Sequence, residues 1–541
     1  MCRVLSGPHL RRVEKDFISV QIILEEDLDL TLQVFKNDKA LTLSCDVRKI
    51  PFANKIFFYI FRATLQLDEG CTYHYDIINK QESIISDLSL SLDGLSLHPS
   101  FEFGSERILT GSCRKLSSHE EDCLPKMLDA FTQGGERPQM LILTGDQVYS
   151  DDISDGLFAK ITELVKQYGF PQTKVSNLTN RKKLCKSIGL TSRKSKNHLL
   201  SLGEFIILYL LSWSDELWEK NEKIINRSDL TKVRKLFANV PVYMQMDDHD
   251  VSDDLKINNF WLENINECGF QVLANAYAVG YLFQSMGNYG EYGEYDQVID
   301  SYVGLQSSQK DLSSRLVDEA DWSFSLSIAA RDFIFLDTRN HRYGGETAQL
   351  PAGLLKLSKI DELLRDDNQN NDCILVSPSP IYAYEAIERL QSLLAFLPSS
   401  VSLIDREGWH AADQVSDESN SLRYLEKNIL NSTYRKIIIL SGDVHYSFAR
   451  KLELNDKSII QLVVSSLKNK PPVTILARLW FRLYNSFSRN GKYLTSCQGS
   501  KILHYSNYCY FKLESEIKIS MYSRGIEHKF NPNVENDELA Q

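Results

Sequence analysis

The sequence has no long apolar segment of the kind that enters a membrane. Its longest apolar run, residues 205–211, is far shorter than the roughly 20 residues that a helix needs to cross a bilayer. The first residues, MCRVLSGPHLRRVEKDF, contain no apolar stretch typical of an export signal. These absences predict a cytoplasmic protein with no membrane span.

Regularly spaced cysteines and an excess of positive charge are also absent. The ten cysteines include no CxxC pair, which predicts reduced and mostly buried thiols. The net charge of -11 provides no domain-wide basic surface, and this argues against a nucleic-acid-binding function. The one basic stretch, residues 180–196, is typical of a solvated face.

The chain has the composition and length of a globular protein with more than one domain. It has 541 residues, of which 43% are hydrophobic and 25% charged. Short β-like runs, broken by Asp, Asn, Gly and Pro, occupy residues 17–24, 30–35, 55–67 and 73–78. This pattern predicts a small all-β sandwich of the immunoglobulin or fibronectin type over residues 1–103.

From about residue 104 onward, apolar runs end in polar clusters and alternate with helical segments. The apolar runs are residues 107–110, 140–144, 240–246, 333–336 and 436–440. Strands whose C-terminal ends carry polar groups are typical of α/β sheets at their ligand edge. We therefore expect a layered α/β fold, with β-sheets flanked by helices, over residues 104–530. A helical insertion is predicted at about 154–239, and a polar tail at 531–541.

The segment 145–149, Gly-Asp-Gln-Val-Tyr, follows one of these apolar runs. The two carboxylate oxygens of Asp146 can bridge two cations, and Tyr149 is placed to turn back to the same centre. Tyrosinate is a hard anionic ligand that suits a trivalent ion. A turn with a capping Asp is the alternative interpretation of this segment alone.

Two further clusters carry metal-ligand residues. Residues 247–254 place five carboxylates around His249, which is costly unless cations compensate the repulsion. A solvated acidic loop is the alternative. Asp443 and His445, after Gly442, can each face a different cation. Because metal sites are built from ligands that converge from several segments, the clusters together indicate a metal site.

In combination the motifs resemble the PhoD-like alkaline phosphatase/phosphodiesterase family of the calcineurin-like metallophosphoesterase superfamily. The matching segments are GSCR at 111–114, GDQVY at 145–149, DDHD at 247–250, LDTR at 336–339, SGDVH at 441–445 and VSSLKN at 464–469. The resemblance covers most of residues 1–515 and implies a metallophosphoesterase core. Two positions depart from the family pattern: Asp250 replaces a Glu, and Met246 replaces an aromatic residue.

The resemblance also implies a role for each matching residue. Cys113, Asp146, Tyr149 and His445 would hold Fe³⁺, and Asp146 would bridge to the divalent side. Asp248 and Asp443 would bind Ca²⁺, or another divalent metal in its place, since hard oxygen ligands suit calcium. His249 would donate a proton to the leaving group, and Arg339 would contact the phosphate.

The implied activity is hydrolysis of a phosphate monoester by a metal-activated hydroxide. The substrate would be a small-molecule, lipid or polymer phosphate ester. A phosphodiesterase acting at the same site is one alternative. A non-catalytic binding or scaffold protein that retains the fold is the alternative from another class. It predicts the loss of ligands, whereas all seven proposed metal and proton-transfer residues are present.

Overall fold

The computed structural model of the chain describes most of its residues. They are residues 2–92, 94, 96–171, 173, 175, 180–187, 190, 195–220, 223–253, 255, 263, 265–305, 310–340, 342, 353–364, 372–384, 409, 421–455, 457–470 and 492–532. Asp254, residues 188, 189 and 191–194 of the basic stretch, and the predicted tail from residue 533 lie outside the described residues.

The N-terminal segment forms two antiparallel sheets. Their orders are β1-β2-β6-β5 and β4-β3-β7-β8, and β9 pairs with β7. The strands are β1 (Val4–Glu14), β2 (Phe17–Leu24), β3 (Thr31–Lys36), β4 (Lys39–Ala40), β5 (Ser44–Ala53), β6 (Ile56–Thr64), β7 (Thr72–Asn79), β8 (Glu82–Ser83) and β9 (Ser100–Glu102). Apolar side chains of both sheets, such as Val20 and Tyr75, share one core, so the segment is built as a sandwich.

Strands β1 and β5 are absent from the sequence-based prediction. In β1, the pairing with β2 shifts register three times along the strand, and the strand contains Pro8 and two consecutive arginines. In β5, most residues are at least partly exposed. Neither strand therefore shows the regular apolar alternation from which strands are predicted.

The remaining strands form two mixed sheets, with orders β12-β11-β10-β20-β21-β22 and β13-β14-β15-β16-β18-β17-β19. Strands β10 to β12 are parallel to one another, as are β14, β15, β16 and β18. The strands are β10 (Arg107–Gly111), β11 (Met140–Leu143), β12 (Val242–Met244), β13 (Phe324–Ile328), β14 (Arg331–Phe335), β15 (Asp372–Ser377), β16 (Lys436–Ser441), β17 (Phe448–Leu454), β18 (Lys457–Val463), β19 (Lys492–Tyr493), β20 (Asn507–Leu513), β21 (Ile517–Ser523) and β22 (Ile526–Phe530).

The α-helices described in the structure vary from 7 to 14 residues in length. They are α1 (Leu124–Thr132), α2 (Asp155–Gln167), α3 (Arg181–Ser187), α4 (Leu202–Trp213), α5 (Arg227–Asn239), α6 (Glu267–Gly280), α7 (Glu294–Leu305), α8 (Lys310–Asp318), α9 (Leu357–Leu363) and α10 (Ser421–Asn431). Within the described segments, no helix combines the length and the apolar character needed to cross a membrane.

The two mixed sheets lie between layers of helices. Their facing sides share one core, to which Ile142 and Phe335 belong. The outer side of the first sheet, including Leu141, packs against helices α1, α2, α4, α5 and α6. The outer side of the second, including Ile439, packs against α9 and α10. Helix α4 is buried along its whole length, which explains its nearly uniform apolar sequence. The chain is thus a mixed α/β protein with sheets flanked by helices.

The loops that follow the parallel strands of the two mixed sheets lie next to one another. The Cys113 N–H donates to the carbonyl of Gly145 at 3.2 Å, which joins the loops after β10 and β11. The Leu467 N–H donates to the carbonyl of Ser112 at 2.7 Å, which joins a loop of the second sheet to one of the first. Because parallel strands end at the same edge of a sheet, each sheet has one edge with polar clusters, and these hydrogen bonds show that the two edges lie side by side.

Candidate metal centre

Four of the proposed ligands have a left-handed backbone conformation. The φ angles are 57° at Cys113, 53° at Asp146, 64° at Asp443 and 55° at His445. Residues other than glycine rarely adopt positive φ, and those that do concentrate at functional sites. The tight turns follow directly on strands β10, β11 and β16, and they direct the four side chains toward a shared space.

Two glycines allow the loops to approach this closely. A Cβ atom at Gly145 would lie 2.6 Å from the Cβ of Asp247, and the φ of Gly145 is 116°. A Cβ atom at Gly442 would lie 2.3 Å from Ser112 Oγ. Both distances are shorter than non-bonded atoms tolerate, so a larger residue at either position would force apart the loops that carry the candidate ligands.

The structure brings the side chains of Cys113, Asp146, Tyr149 and His445 together. One potential ligand atom from each of Cys113, Asp146 and His445 lies within 4.8 Å of the others. The Tyr149 hydroxyl donates to Asp146 Oδ2 at 3.1 Å and lies 3.0 Å from His445 Nε2. Ser465 Oγ lies 3.2 Å from Cys113 Sγ and accepts the His445 N–H at 3.1 Å. This set of one sulfur, one nitrogen and two kinds of oxygen forms the first cluster.

Burial shifts the pKa values of three residues in the first cluster. It raises the pKa of the Cys113 thiol well above its usual value, and nearby Asp146 raises it further. The pKa of Tyr149 is raised for the same two reasons. Burial, together with the charge of His249, lowers the pKa of His445 to about 4. His445 is therefore neutral and able to act as a ligand, whereas Cys113 and Tyr149 need a nearby cation to become anionic.

The second cluster consists of carboxylates. Potential ligand atoms of Asp247, Asp248 and Asp443 lie within 4.8 Å of one another, and Asp248 forms a further group with Asp146 and His249. Ser379 Oγ donates to Asp443 Oδ2 at 3.1 Å. Among the described residues, the buried Asp247 Oδ2 has no hydrogen-bond partner. Asp146 and Asp248 thus connect the two clusters.

Arg339 lies within the second cluster. Its Nε donates to Asp247 Oδ1, and its Nη2 lies 3.3 Å from Asp248 Oδ1 and 4.0 Å from Asp443 Oδ2. Although burial alone would lower the pKa of Arg339, these three carboxylates raise it well above its usual value. The guanidinium is therefore fixed as a cation among the carboxylates, 4% exposed at its side chain.

His249 sits beside both clusters. Its Nδ1 lies 3.0 Å from Asp151 Oδ1, and its ring stacks on Tyr149 with 4.2 Å between centroids. Its backbone N–H donates to Asp146 Oδ1 at 3.2 Å. Burial opposes protonation of His249, but Asp151, Asp248 and Asp146 outweigh it and raise its pKa well above the usual value. The imidazole can thus hold a proton at the edge of the site.

Asp250 joins the two loops that carry Asp146 and Asp248. Its Oδ1 accepts the N–H of Val148 at 3.1 Å, and its Oδ2 accepts the N–H of Asp247 at 2.9 Å. Burial raises its pKa to about 7. Both of its oxygens are directed at backbone donors, so Asp250 shapes the loops rather than facing the ligand atoms.

Sequence reasoning missed several residues that contact the predicted ones. Asp247 appeared only as part of an acidic cluster, and Asp151, Ser379 and Ser465 had no assigned role. Asn469 belongs to a matching segment but also lacked a role, and its Nδ2 lies 3.3 Å from His445 Nε2. Ser379 follows strand β15, so the rule of polar residues at strand ends would have drawn attention to it.

The arrangement fits bound cations. The donor atoms converge and the carboxylates crowd one another, and a cation bound among them would offset their repulsion. Cys113, Asp146, Tyr149 and His445 offer the mixed donors that suit a transition-metal ion. Asp248 and Asp443, with Asp146 and Asp247, offer the hard oxygens that suit a divalent cation such as calcium.

The chain matches no family model, and no curated protein matches it either.

Proposed function

We propose that the chain is a metal-dependent hydrolase of phosphate monoesters, of the PhoD-like type within the calcineurin-like metallophosphoesterases. The observation that carries the proposal is the adjacency of two unlike donor clusters, connected through Asp146 and Asp248. A site that pairs a mixed S/N/O cluster with a carboxylate cluster suits two different cations. A cytoplasmic location and a small-molecule, lipid or polymer substrate belong to the same proposal.

The first cluster, Cys113, Asp146, Tyr149 and His445, would hold Fe³⁺. In the second cluster, Asp248 and Asp443, together with Asp146 of the first, would hold Ca²⁺ or another divalent ion. When bound, such a pair of cations stabilises charge on the phosphoryl oxygens and lowers the pKa of a water molecule toward about 7.

The residues of the chain have separate tasks in this proposal. Asp151 holds Nδ1 of His249, which leaves Nε2 to carry the proton that the departing alkoxide receives. Stacking on Tyr149 fixes the ring plane. Arg339 is a positively charged side chain within the second cluster, and its planar guanidinium can bind two phosphate oxygens at once. General-acid catalysis of this kind typically contributes ~10²–10⁴-fold.

The test compares substrates with good and poor leaving groups. His249→Asn keeps the size and polarity of the side chain but cannot protonate an alkoxide in the same way. It is expected to cut turnover of an alkyl phosphate by ~10²-fold or more and to affect p-nitrophenyl phosphate much less, because p-nitrophenolate leaves without protonation. Metal content should stay near that of the wild type. The exposed His119 offers a matched control, and His119→Asn should leave both rates unchanged.

Other outcomes separate the alternatives. Faster hydrolysis of a dialkyl phosphate than of the monoester would favour the phosphodiesterase. Full metal loading without turnover of either ester would favour the binding or scaffold protein. Equal losses on both monoesters, together with depleted metal in His249→Asn, would show that His249 holds the centre together rather than supplying a proton.

A further inference from the structure

Arg11 is a fully buried arginine that reaches out of the N-terminal sandwich. It lies on β1 and is 0% exposed. Its five N–H groups have five acceptors, all of them carbonyl or amide oxygens rather than carboxylates. These are Val242 O (3.0 Å), Gln21 Oε1 (2.8 Å), Phe283 O (2.6 Å), Gln284 O (2.6 Å) and Asn288 Oδ1 (3.1 Å). A buried cation is costly unless every donor is satisfied, so the position of Arg11 is tightly specified.

Three of its five acceptors, on Phe283, Gln284 and Asn288, lie in the segment that follows the C-terminal end of helix α6. There the chain continues as a π turn, Tyr281–Ser285, and a 3₁₀ turn, Met286–Asn288. The last carbonyls of a helix lack partners within the helix and favour a nearby cation. Other sandwich side chains also donate to this end: Gln21 to Leu282 O, Ser19 to Gly287 O and Arg62 to Met286 O. The sandwich therefore caps a helix of the α/β part.

Two routes lead from Arg11 to the metal-ligand loops. On the first, Arg11 binds the Val242 carbonyl directly, and the Asn288 amide donates to the Met244 carbonyl at 2.7 Å. Strand β12 thus has both of its ends held, and it ends three residues before Asp247. Any shift of Arg11 therefore moves the start of the loop that carries Asp247 and Asp248.

The second route runs through Gln284. Its Nε2 donates to the Tyr209 hydroxyl at 2.6 Å. Both side chains lie close to the Asp250 carboxylate, since Gln284 lowers the pKa of Asp250 and Asp250 raises the pKa of Tyr209. Asp250 in turn accepts the N–H groups of Val148 and Asp247. Arg11 holds the Gln284 backbone, so this route reaches both loops that bear ligands.

We propose that Arg11 is a positioning residue of the metal centre, through which the N-terminal sandwich sets the geometry of loops 145–149 and 247–250. The N-terminal sandwich then contributes to the geometry of the site and is not an independent module. The kinetic and calcium-binding parts of this inference rest on the proposed function. The structural part, that Arg11 orders the two loops, stands without it.

The experiment compares Arg11→Met with Arg234→Met in the full chain. Arg234 is a matched control: it is also buried, lies on α5, and donates to Gly7 O at 2.8 Å and Val4 O at 2.7 Å. It joins the same two parts of the molecule, but its bonds go to the start of β1 and not to the segments that lead to the loops. Both variants should therefore have a lower free energy of unfolding, but only Arg11→Met should disturb the proposed metal centre.

Amide hydrogen exchange and kinetics provide the readouts. In Arg11→Met, the amides of Val148 and Asp247 should exchange at least about tenfold faster. The value of kcat for p-nitrophenyl phosphate should fall ~10²-fold, as small misplacements of catalytic groups do, with little change in KM. Calcium affinity, measured by titration calorimetry, should also fall. Arg234→Met should leave the exchange rates of these amides, kcat and the calcium affinity at wild-type values.

Each result decides the inference. Wild-type exchange at Val148 and Asp247 in Arg11→Met would overturn it, as would equal effects of the two variants. If Arg11→Met is insoluble, Asn288→Ala, which removes the link to β12, is measured in the same way and must show the same pattern. A wild-type protein without phosphatase activity would defeat the proposed function, while amide exchange would still test Arg11.

Discussion

The guanidinium of Arg339 forms an ion pair with Asp247, and its Nη2 also reaches Asp248 at 3.3 Å. A charged side chain thus occupies the middle of the cluster that is proposed to bind a divalent cation. Arg339 and that cation have the same electrostatic task, since each offsets the repulsion among the carboxylates.

Arg339→Met should therefore make the fold depend on a divalent cation. Removing one partner of a buried ion pair typically costs about 3–5 kcal/mol, and this loss is expected in chelator-treated protein. Calcium should restore much of it, because a ligand that binds only the folded state stabilises that state. Calorimetric melting with calcium and with chelator measures the difference. Arg114→Met breaks the buried ion pair with Asp122, and calcium should not restore the stability that this variant loses. A calcium-independent loss in Arg339→Met would contradict the prediction.

Tyr149 should give the iron-loaded protein a visible colour. Its hydroxyl lies 3.0 Å from His445 Nε2 and 3.1 Å from Asp146 Oδ2, and tyrosinate bound to Fe³⁺ has a broad charge-transfer band. Tyr149→Phe should lose this band while retaining some iron. Tyr73→Phe, which alters a buried tyrosine of the N-terminal sandwich, should keep it. An unchanged spectrum in Tyr149→Phe would remove Tyr149 from the proposed ligands.

Asp151 should set the alkaline limit of activity. The raised pKa of His249 keeps the imidazole protonated to higher pH, and turnover that needs this proton falls as the pH rises through that pKa. Asp151→Asn removes the carboxylate that raises the pKa most, so the alkaline limb of kcat/KM for an alkyl phosphate should move to lower pH. Asp253 lies farther away, 3.8 Å from Nε2, and Asp253→Asn should produce a smaller shift. If the alkaline limb of kcat/KM does not move in Asp151→Asn, the group that titrates there is not His249.

The backbone of Asp443 gives a stability prediction independent of catalysis. At its φ of 64°, a Cβ atom is unfavourable by roughly 1–2 kcal/mol. Asp443→Gly should therefore be more stable than Asp443→Ala in urea unfolding of the metal-free protein. At Asp229, in the first turn of α5, the order should reverse, because Gly is worse than Ala in a helix. Greater stability of the Ala variant at both positions would show that Asp443 carries no backbone strain.

The sequence was most informative where apolar runs end in polar residues. Asp146 follows β11 of the first mixed sheet, and Asp443 follows β16 of the second. Parallel strand order predicts that the strand ends within each sheet lie at one edge. It does not predict that the two edges meet, because that depends on how the two sheets pack on each other.

The contacts that orient the ligands could not be predicted. The pairing of Asp151 with His249 depends on how two loops fold back, and no periodic pattern encodes that. Arg11 belongs to a stretch with two adjacent arginines, of which one is fully buried and the other partly exposed. Because charged residues are usually solvated, only tertiary structure identifies the buried one.

The antiparallel pairing of β10 with β20 has a consequence for synthesis of the chain. Arg107 pairs with Lys512, and Thr110 with Cys509, so one partner leaves the ribosome about 400 residues after the other. Until then β10 is an exposed edge next to β11, and such edges invite pairing with other chains. Iron added to a nascent chain that stops before residue 445 would meet Cys113, Asp146 and Tyr149 without their histidine. Assembly of the proposed metal centre would therefore be completed only after residue 445 has been translated.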